Sequence, residues 1–292
     1  MRRDRKNLQD RLAARHTDDG RRQGGADSIT KDEVEDVEER SSPRTPVIYE
    51  VVRRLGEEEM RRPITSLWWS GVAAGLSISF SLLAQAILYT HLPDAPWRPL
   101  VSSFGYPVGF LMAVLSRQQL FTENTITVVL PVMAEFTLGN VAQLGRMWGI
   151  VLLANIAGTL FAALFCTLTP ALTPELLDGM LEISRHILNH AWLDMFYKSI
   201  SAGFLMAAMV WLIPTADGAQ FHVVTLMTYL IGAGGFMHIV AGSVEAFLLV
   251  LNGQLGVWPM IVDFIVPVLI GNIVGGTALF ALLSYAQVMR EI

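Results

Sequence analysis

Residues 232–251 read GAGGFMHIVAGSVEAFLLVL, and two groups in that run can carry chemistry: His238 and, seven residues on, Glu245. Seven residues are two helical turns, so the imidazole and the carboxyl share one face of a helix. An ionisable group in hydrocarbon is expensive and needs either a partner or a function. Imidazole, with an unperturbed pKa of about 6.5, is the side chain suited to exchange a proton near neutrality. Burial disfavours the charged ring, and an anion brought alongside favours it. His238 is therefore expected to rest neutral and to be able to exchange a proton. The competing use is a purely structural hydrogen bond.

The other titratable groups are placed less tellingly. His91, His186, His190 and His222 sit at the edges of apolar runs or between them, where solvated side chains are the usual outcome. His186 and His190 are one helical turn apart, a spacing compatible with a metal, but no third ligand accompanies them. Glu123 and Arg117 are expected to form an internal pair that sets the conformation of their loop. Cys166 is the single cysteine, which excludes an intramolecular disulfide and a multi-cysteine metal centre. With no nucleophile–base pair and no metal constellation, neither an enzymatic activity nor a cofactor or metal is expected.

Composition defines the elements that must hold these groups. Of 21 Lys+Arg and 26 Asp+Glu, 15 of each lie in residues 1–62, leaving six basic and eleven acidic side chains over the remaining 230 positions. That stretch is too apolar and too long for one water-soluble core, and it contains several segments of membrane-spanning length. The net charge of −5 gives no support for a nucleic-acid partner. Residues 1–45, charged and rich in Gly and Ser, are predicted to be a disordered cytoplasmic tail. No cleavable signal peptide is read there, because MRRDRKNLQDRLAARHTDDG has charge without an apolar core. Residues 46–62 are predicted to be an amphipathic interfacial helix, with Val47, Ile48, Val51, Val52 and Leu55 opposite Arg53, Arg54 and Glu57–Glu59, ended by Pro63.

Residues 63–292 are predicted to be a six-span transport domain. The spans fall at about 68–90, 104–134, 146–168, 195–213, 221–251 and 258–288 by apolar length. The second is interrupted by SRQQLFTEN and the fifth by GAGGFMHIVAG. Non-helical backbone in lipid costs several kcal/mol per unpaired group, so such breaks survive only inside protein or beside water. The third and sixth spans share a signature, LLANIAGTLFAAL and LIGNIVGGTALFALL, pairing Asn155 with Asn272 and Gly158 with Gly275. Three spans per half, each with a broken middle span, predict an all-α membrane protein of two inverted three-helix repeats whose breaks meet in the bundle. Arg53, Arg54, Arg61, Arg62, Arg146 and Arg290 lie on one side, which places both termini in the cytoplasm.

These motifs, Gln119–Asn124 (QLFTEN), Gly235–His238 (GFMH) and Gly271–Gly276 (GNIVGG), in this order on a six-span chain, resemble the formate/nitrite transporter family over residues of about 60–288. The resemblance implies a homopentamer of aquaporin-like protomers in a bacterial-type inner membrane, each with a pore for a small monovalent weak-acid anion or its neutral acid. It implies that Thr122 faces the central His238, with Asn272 able to hold the imidazole. It also implies apolar constrictions, with Tyr106, Phe110, Leu120, Phe121 and Ile231 as the matching positions. Two departures are visible: the polar run that usually follows the histidine is Ile239-Val240-Ala241-Gly242, and no basic residue stands at the family's fourth-helix lysine. Arg185 lies near that place, and Lys198 falls too far along the chain to match. A conduit for neutral solutes such as water, glycerol or ammonia, and a membrane anchor whose charged tail signals, are the alternatives.

Overall fold

The computed structural model describes residues 43–291. The tail expected over residues 1–45 falls outside them up to residue 42. The described chain is helical: α1 (Thr45–Met60), α2 (Ile64–His91), α3 (Arg98–Leu115), α4 (Phe121–Thr127), α5 (Val129–Ala134), α6 (Leu138–Leu168), α7 (Pro174–Ser184), α8 (Trp192–Leu212), α9 (Gln220–Ala233), α10 (Ile239–Leu251) and α11 (Val257–Val288). Five of them, α2, α3, α6, α8 (with its 3-10 extension to Thr215) and α11, are long and apolar enough to cross a membrane, while α9 and α10 are shorter apolar helices. α3 contains a 3-10 turn at Ser103–Gly105, and α11 contains π-helical turns at Met260–Ile265 and Val274–Ala281. The first π turn stands just before Pro267, which has no N–H to give to a regular helix.

Small residues bring the long helices into backbone contact. A Cβ added to Gly75 of α2 would lie 2.2 Å from the Asn155 carbonyl oxygen of α6, and one on Gly203 of α8 would lie 2.3 Å from that of Asn272 in α11. Apolar side chains gain little by leaving lipid for protein, so close packing and buried hydrogen bonds hold such helices together. Both crossings bring an asparagine into the interior, and Asn155 and Asn272 are fully buried.

The predicted amphipathic segment is a helix, α1, and one face of it packs on the rest of the chain. Tyr49, Val52, Gly56 and Met60 are buried, while Val47 and Val51 are 51% and 39% exposed. Gly56 decides the rotation, because a Cβ there would meet the Thr127 carbonyl oxygen at 1.9 Å. Hydropathy alone does not register a contact made by the absence of a side chain. The acidic stretch around Glu175, Asp178 and Glu182, between the predicted third and fourth spans, is the helix α7. Thr173 caps it by accepting the Leu176 N–H, and Pro174 fills its first turn.

A candidate ion pathway at two broken helices

The two interruptions are built alike. After α3, Arg117 takes a left-handed φ of 53°; after α9, Gly235 takes 59°. At each, two N–H groups turn back on the helix end: Arg117 to the Val114 carbonyl and Gln118 to that of Ala113, Gly235 to Gly232 and Phe236 to Ile231. This is the Schellman turn, which satisfies the last carbonyls of a helix by placing one residue in the left-handed region. Three residues on, the chain is extended at Leu120 (φ −108°, ψ 125°) and at His238 (φ −111°, ψ 126°), and a new helix starts.

One asparagine holds each extended piece. Asn155 Oδ1 accepts the Phe121 N–H at 2.9 Å, and its Nδ2 donates to the carbonyls of Gln119 and Gly71, both at 2.8 Å. Asn272 Oδ1 accepts the Ile239 N–H at 2.9 Å, and its Nδ2 donates to the carbonyls of Met237 at 2.9 Å and Ser199 at 2.8 Å. Each amide thus clamps the backbone on both sides of the extended residue and ties it to a long helix. Asn272 spends its amide on backbone and not on the imidazole.

The breaks meet at Thr122 and His238, whose Oγ1 and Nε2 are 2.8 Å apart, both side chains buried. The protonation of the ring follows from its other bond. His238 is the N-cap of α10, and its Nδ1 accepts the Ala241 N–H at 3.2 Å. A nitrogen that accepts carries no proton, so in the neutral ring Nε2 holds it and donates it to Thr122. Phe110 stands edge-on to the imidazole at 5.0 Å between centroids, and Tyr106 lies 5.2 Å further along.

Two cavities with no lining residue in common approach this pair. The first, about 390 Å³, is lined by His238, Tyr106, Ile231 and Phe236, and also by His186, His190, Lys198 and Glu245. The second, about 400 Å³, is lined by Gln119 and Glu123, which bracket Thr122 in sequence, and by Glu59, Arg62 and Arg117. Leu120 is buried at the break, and the ring of Phe121 turns aside to meet Trp148 of α6 at 5.9 Å; neither lines either of these two cavities. The expected Glu123–Arg117 pair is not formed. Arg117 is exposed on the turn, and Oε1 of Glu123 is buried without a hydrogen-bond partner.

Lys198 is the group that sequence spacing set aside and the fold brings back. Its Nζ lies 2.9 Å from Nε2 of His190, and both line the first cavity. An ammonium only donates, so His190 accepts on Nε2. Desolvation, with the Lys198 charge second, pushes His190 below the usual imidazole range. The available signal was its place: the only lysine after residue 62 stands two turns inside an apolar helix. On the other side, Glu59 of α1 reaches into the first break, accepting from Gln119 Nε2 at 3.3 Å and from the Thr127 hydroxyl at 3.0 Å.

Residues 46–286 match the formate/nitrite transporter family. Inner membrane protein YfdC of Escherichia coli is 44% identical over 258 residues, which cover 88% of this chain and 83% of that protein. Formate channel FocA of Haemophilus influenzae is 29% identical over 244 residues, 74% of this chain and 84% of the relative. Two solved structures share the fold. A pentameric formate channel with formate bound gives a TM-score of 0.67 at 20% identity, covering 78% of this chain and 98% of its own. An ion channel of the same family gives 0.70 at 18%, covering 83% and 98%. The chain belongs to the formate/nitrite transporter family.

Proposed function

We propose that this chain is a multi-pass channel or proton-coupled carrier of a bacterial-type inner membrane, moving a small monovalent weak-acid anion of the formate or nitrite kind. The observation that carries this reading is the 2.8 Å contact of Thr122 with His238 where two equivalent helix breaks meet. An unpaired carboxylate is nearly excluded from so apolar a passage, whereas the neutral acid is not. His238 exchanges the proton that makes the difference. Tyr106, Phe110 and Ile231 narrow the path on the side of the first cavity, and Leu120 closes it on the other, with Phe121, its ring against Trp148, backing that closure. Asn272 shapes the path by fixing the backbone that presents the ring.

The bonds of the ring dictate how exchange proceeds. The anion replaces Thr122 as acceptor of the Nε2 proton. That proton leaves only as Nδ1 takes up another, and Nδ1 must first release the Ala241 N–H. Exchange is therefore coupled to opening of the first turn of α10.

In this reading the chain crosses the membrane six times in two inverted halves, with α3–α5 and α9–α10 as the broken second and fifth spans. The paired Schellman turns, asparagine clamps and glycine crossings support it. The arginines at 53, 54, 61, 62, 146 and 290 support a cytoplasmic position for both termini. α1 then lies along the membrane surface, with exposed Val47 and Val51 toward lipid. A homopentamer is the assembly, after the solved channel described as pentameric.

A conduit for neutral solutes keeps one point in its favour, the acid Glu245 in the wall of the first cavity. Flux into proteoliposomes separates the two. Weak-acid uptake should rise as external pH falls and should collapse in His238→Ala, while neutral-solute flux should follow neither. Unchanged, pH-independent anion flux in His238→Ala would remove the proton-exchange role.

A further inference from the structure

Glu245 is a carboxyl in the wall of a cavity read here as an anion path, where a negative charge hinders the cargo. It is 5% exposed, and its Oε2 is buried without a hydrogen-bond partner. Its one ion-pair partner among the described residues is His186, whose Nε2 lies 3.5 Å from that oxygen.

The other nitrogen of His186 determines what this contact means. Nδ1 lies 2.8 Å from the Ile183 carbonyl oxygen, which only accepts, so Nδ1 carries a proton. In the neutral ring Nε2 is then a bare lone pair, and it faces an oxygen that is equally bare in the carboxylate. The two are compatible when one further proton sits between them, on the carboxyl or on the ring. The remaining groups of the cavity do not supply it. Lys198 is turned to His190, His238 to Thr122 and Ala241, the Tyr89 hydroxyl to Arg98, and the ring of Tyr106 to Phe110. The His186 side chain is 38% exposed and that of Glu245 6%, so the ring connects the pair to solvent.

We infer that Glu245 and His186 form a proton-holding dyad that resupplies His238 during transport. This rests on the reading that His238 exchanges a proton with the cargo. In each cycle the dyad proton passes through water in the shared cavity to Nδ1 of His238 as the Ala241 bond opens. The Nε2 proton passes to the anion, giving the neutral acid and a neutral ring protonated on Nδ1; water then takes the Nδ1 proton and returns one to Nε2 as the Ala241 bond re-forms. The dyad, left as carboxylate and neutral imidazole, regains its proton from the solution on that side. Only O–H and N–H bonds form and break, and one proton crosses with one anion. The discharged dyad is negative and holds off the next anion until it is reloaded.

Two measurements on the intact protein in lipid test this. Without cargo, the infrared carboxyl signal of Glu245 and the ring-nitrogen resonance of His186 should titrate together as one proton, and H186Q should separate the carboxyl from that titration. Independent titration of the two groups overturns the dyad, whatever His238 does. With a weak acid, E245Q should lose flux on the order of tenfold to a hundredfold at neutral pH, as for removal of a positioned proton donor. The loss should shrink as the pH falls and bulk protons replace the dyad. E245Q with the wild-type rate and pH profile overturns the resupply role. A His238→Ala variant that keeps the wild-type flux sinks the exchange reading instead, with the cargo-free titration still deciding the dyad.

Discussion

Leu120 and His238 occupy the same station of two matching turns, with backbone dihedrals that differ by 3° in φ and 1° in ψ. Each follows a Schellman turn, each is clamped front and back by one asparagine, and each starts a short helix. An apolar side chain stands at one station and a titratable ring at the other. The pairing makes the histidine the chemical half of a repeated structural device.

The clamps are expected to be essential for folding rather than for chemistry. Asn155→Ala or Asn272→Ala removes three hydrogen bonds and strands buried backbone groups, at about 1 kcal/mol for each bond and more for each group left unpaired. Both variants should unfold several kcal/mol more easily, read as thermal denaturation in detergent. Aspartate at either position should rescue poorly, because a carboxylate cannot donate to the two carbonyls. Wild-type melting in the alanine variants would mean that the breaks hold themselves.

Much of this was legible in the chain, and for physical reasons. Breaks reveal themselves because SRQQLFTEN and GAGGFMHIVAG interrupt apolar runs that must otherwise satisfy their own backbone. The Asn155–Asn272 correspondence is visible because an amide inside a span is rare. Its use was not visible, since which atoms an amide bonds depends on how closely Gly75 and Gly203 let the helices approach. The vestibule cluster was hidden for a related reason. His186, His190, Lys198 and Glu245 come from a 3-10 segment, a linker and two helices, and no sequence period unites them. The face by which α1 packs on the bundle was not visible, because a glycine contact carries no hydropathy.

Thr122 should matter through its oxygen. Thr122→Val keeps the shape but removes the acceptor of the Nε2 proton, leaving a buried N–H unpaired at a cost of about 1–3 kcal/mol. Weak-acid flux should fall roughly tenfold, the kinetic equivalent of about 1.4 kcal/mol. Thr122→Ser retains the hydroxyl and should stay close to wild type. Equal flux in the valine and serine variants would show that the hydroxyl serves only packing.

Arg117 stores strain where its counterpart Gly235 does not. A residue with a Cβ pays roughly 1–2 kcal/mol for the left-handed conformation, and glycine is the usual occupant of this position in the turn. Arg117→Gly should therefore stabilise the protein by about 1 kcal/mol, and Gly235→Ala should destabilise it by a similar amount. Thermal unfolding of the two variants measures both. Arg117→Ala is the control, since it removes the same guanidinium while keeping the strain.

Glu59 links the stability of α1 to pH. Desolvation, the largest influence on it, holds its carboxyl above the ordinary range, against the hydrogen bonds from Thr127 and Gln119. The folded protein thus keeps this proton more firmly than the unfolded chain. The resulting stabilisation is fully present below the unfolded pKa of about 4.3 and is lost as pH rises through the folded value. Melting temperature should decline from pH 4 toward neutrality by more in the wild type than in Glu59→Gln, whose amide stays uncharged throughout. Because Gln119 belongs to the first break, ionisation of Glu59 should also loosen that turn, seen as amide protection at residues 117–121 that falls with rising pH in the wild type more than in Glu59→Gln. Identical pH profiles for wild type and Glu59→Gln would show that the carboxyl is solvated in both states and that α1 does not report pH to the pathway.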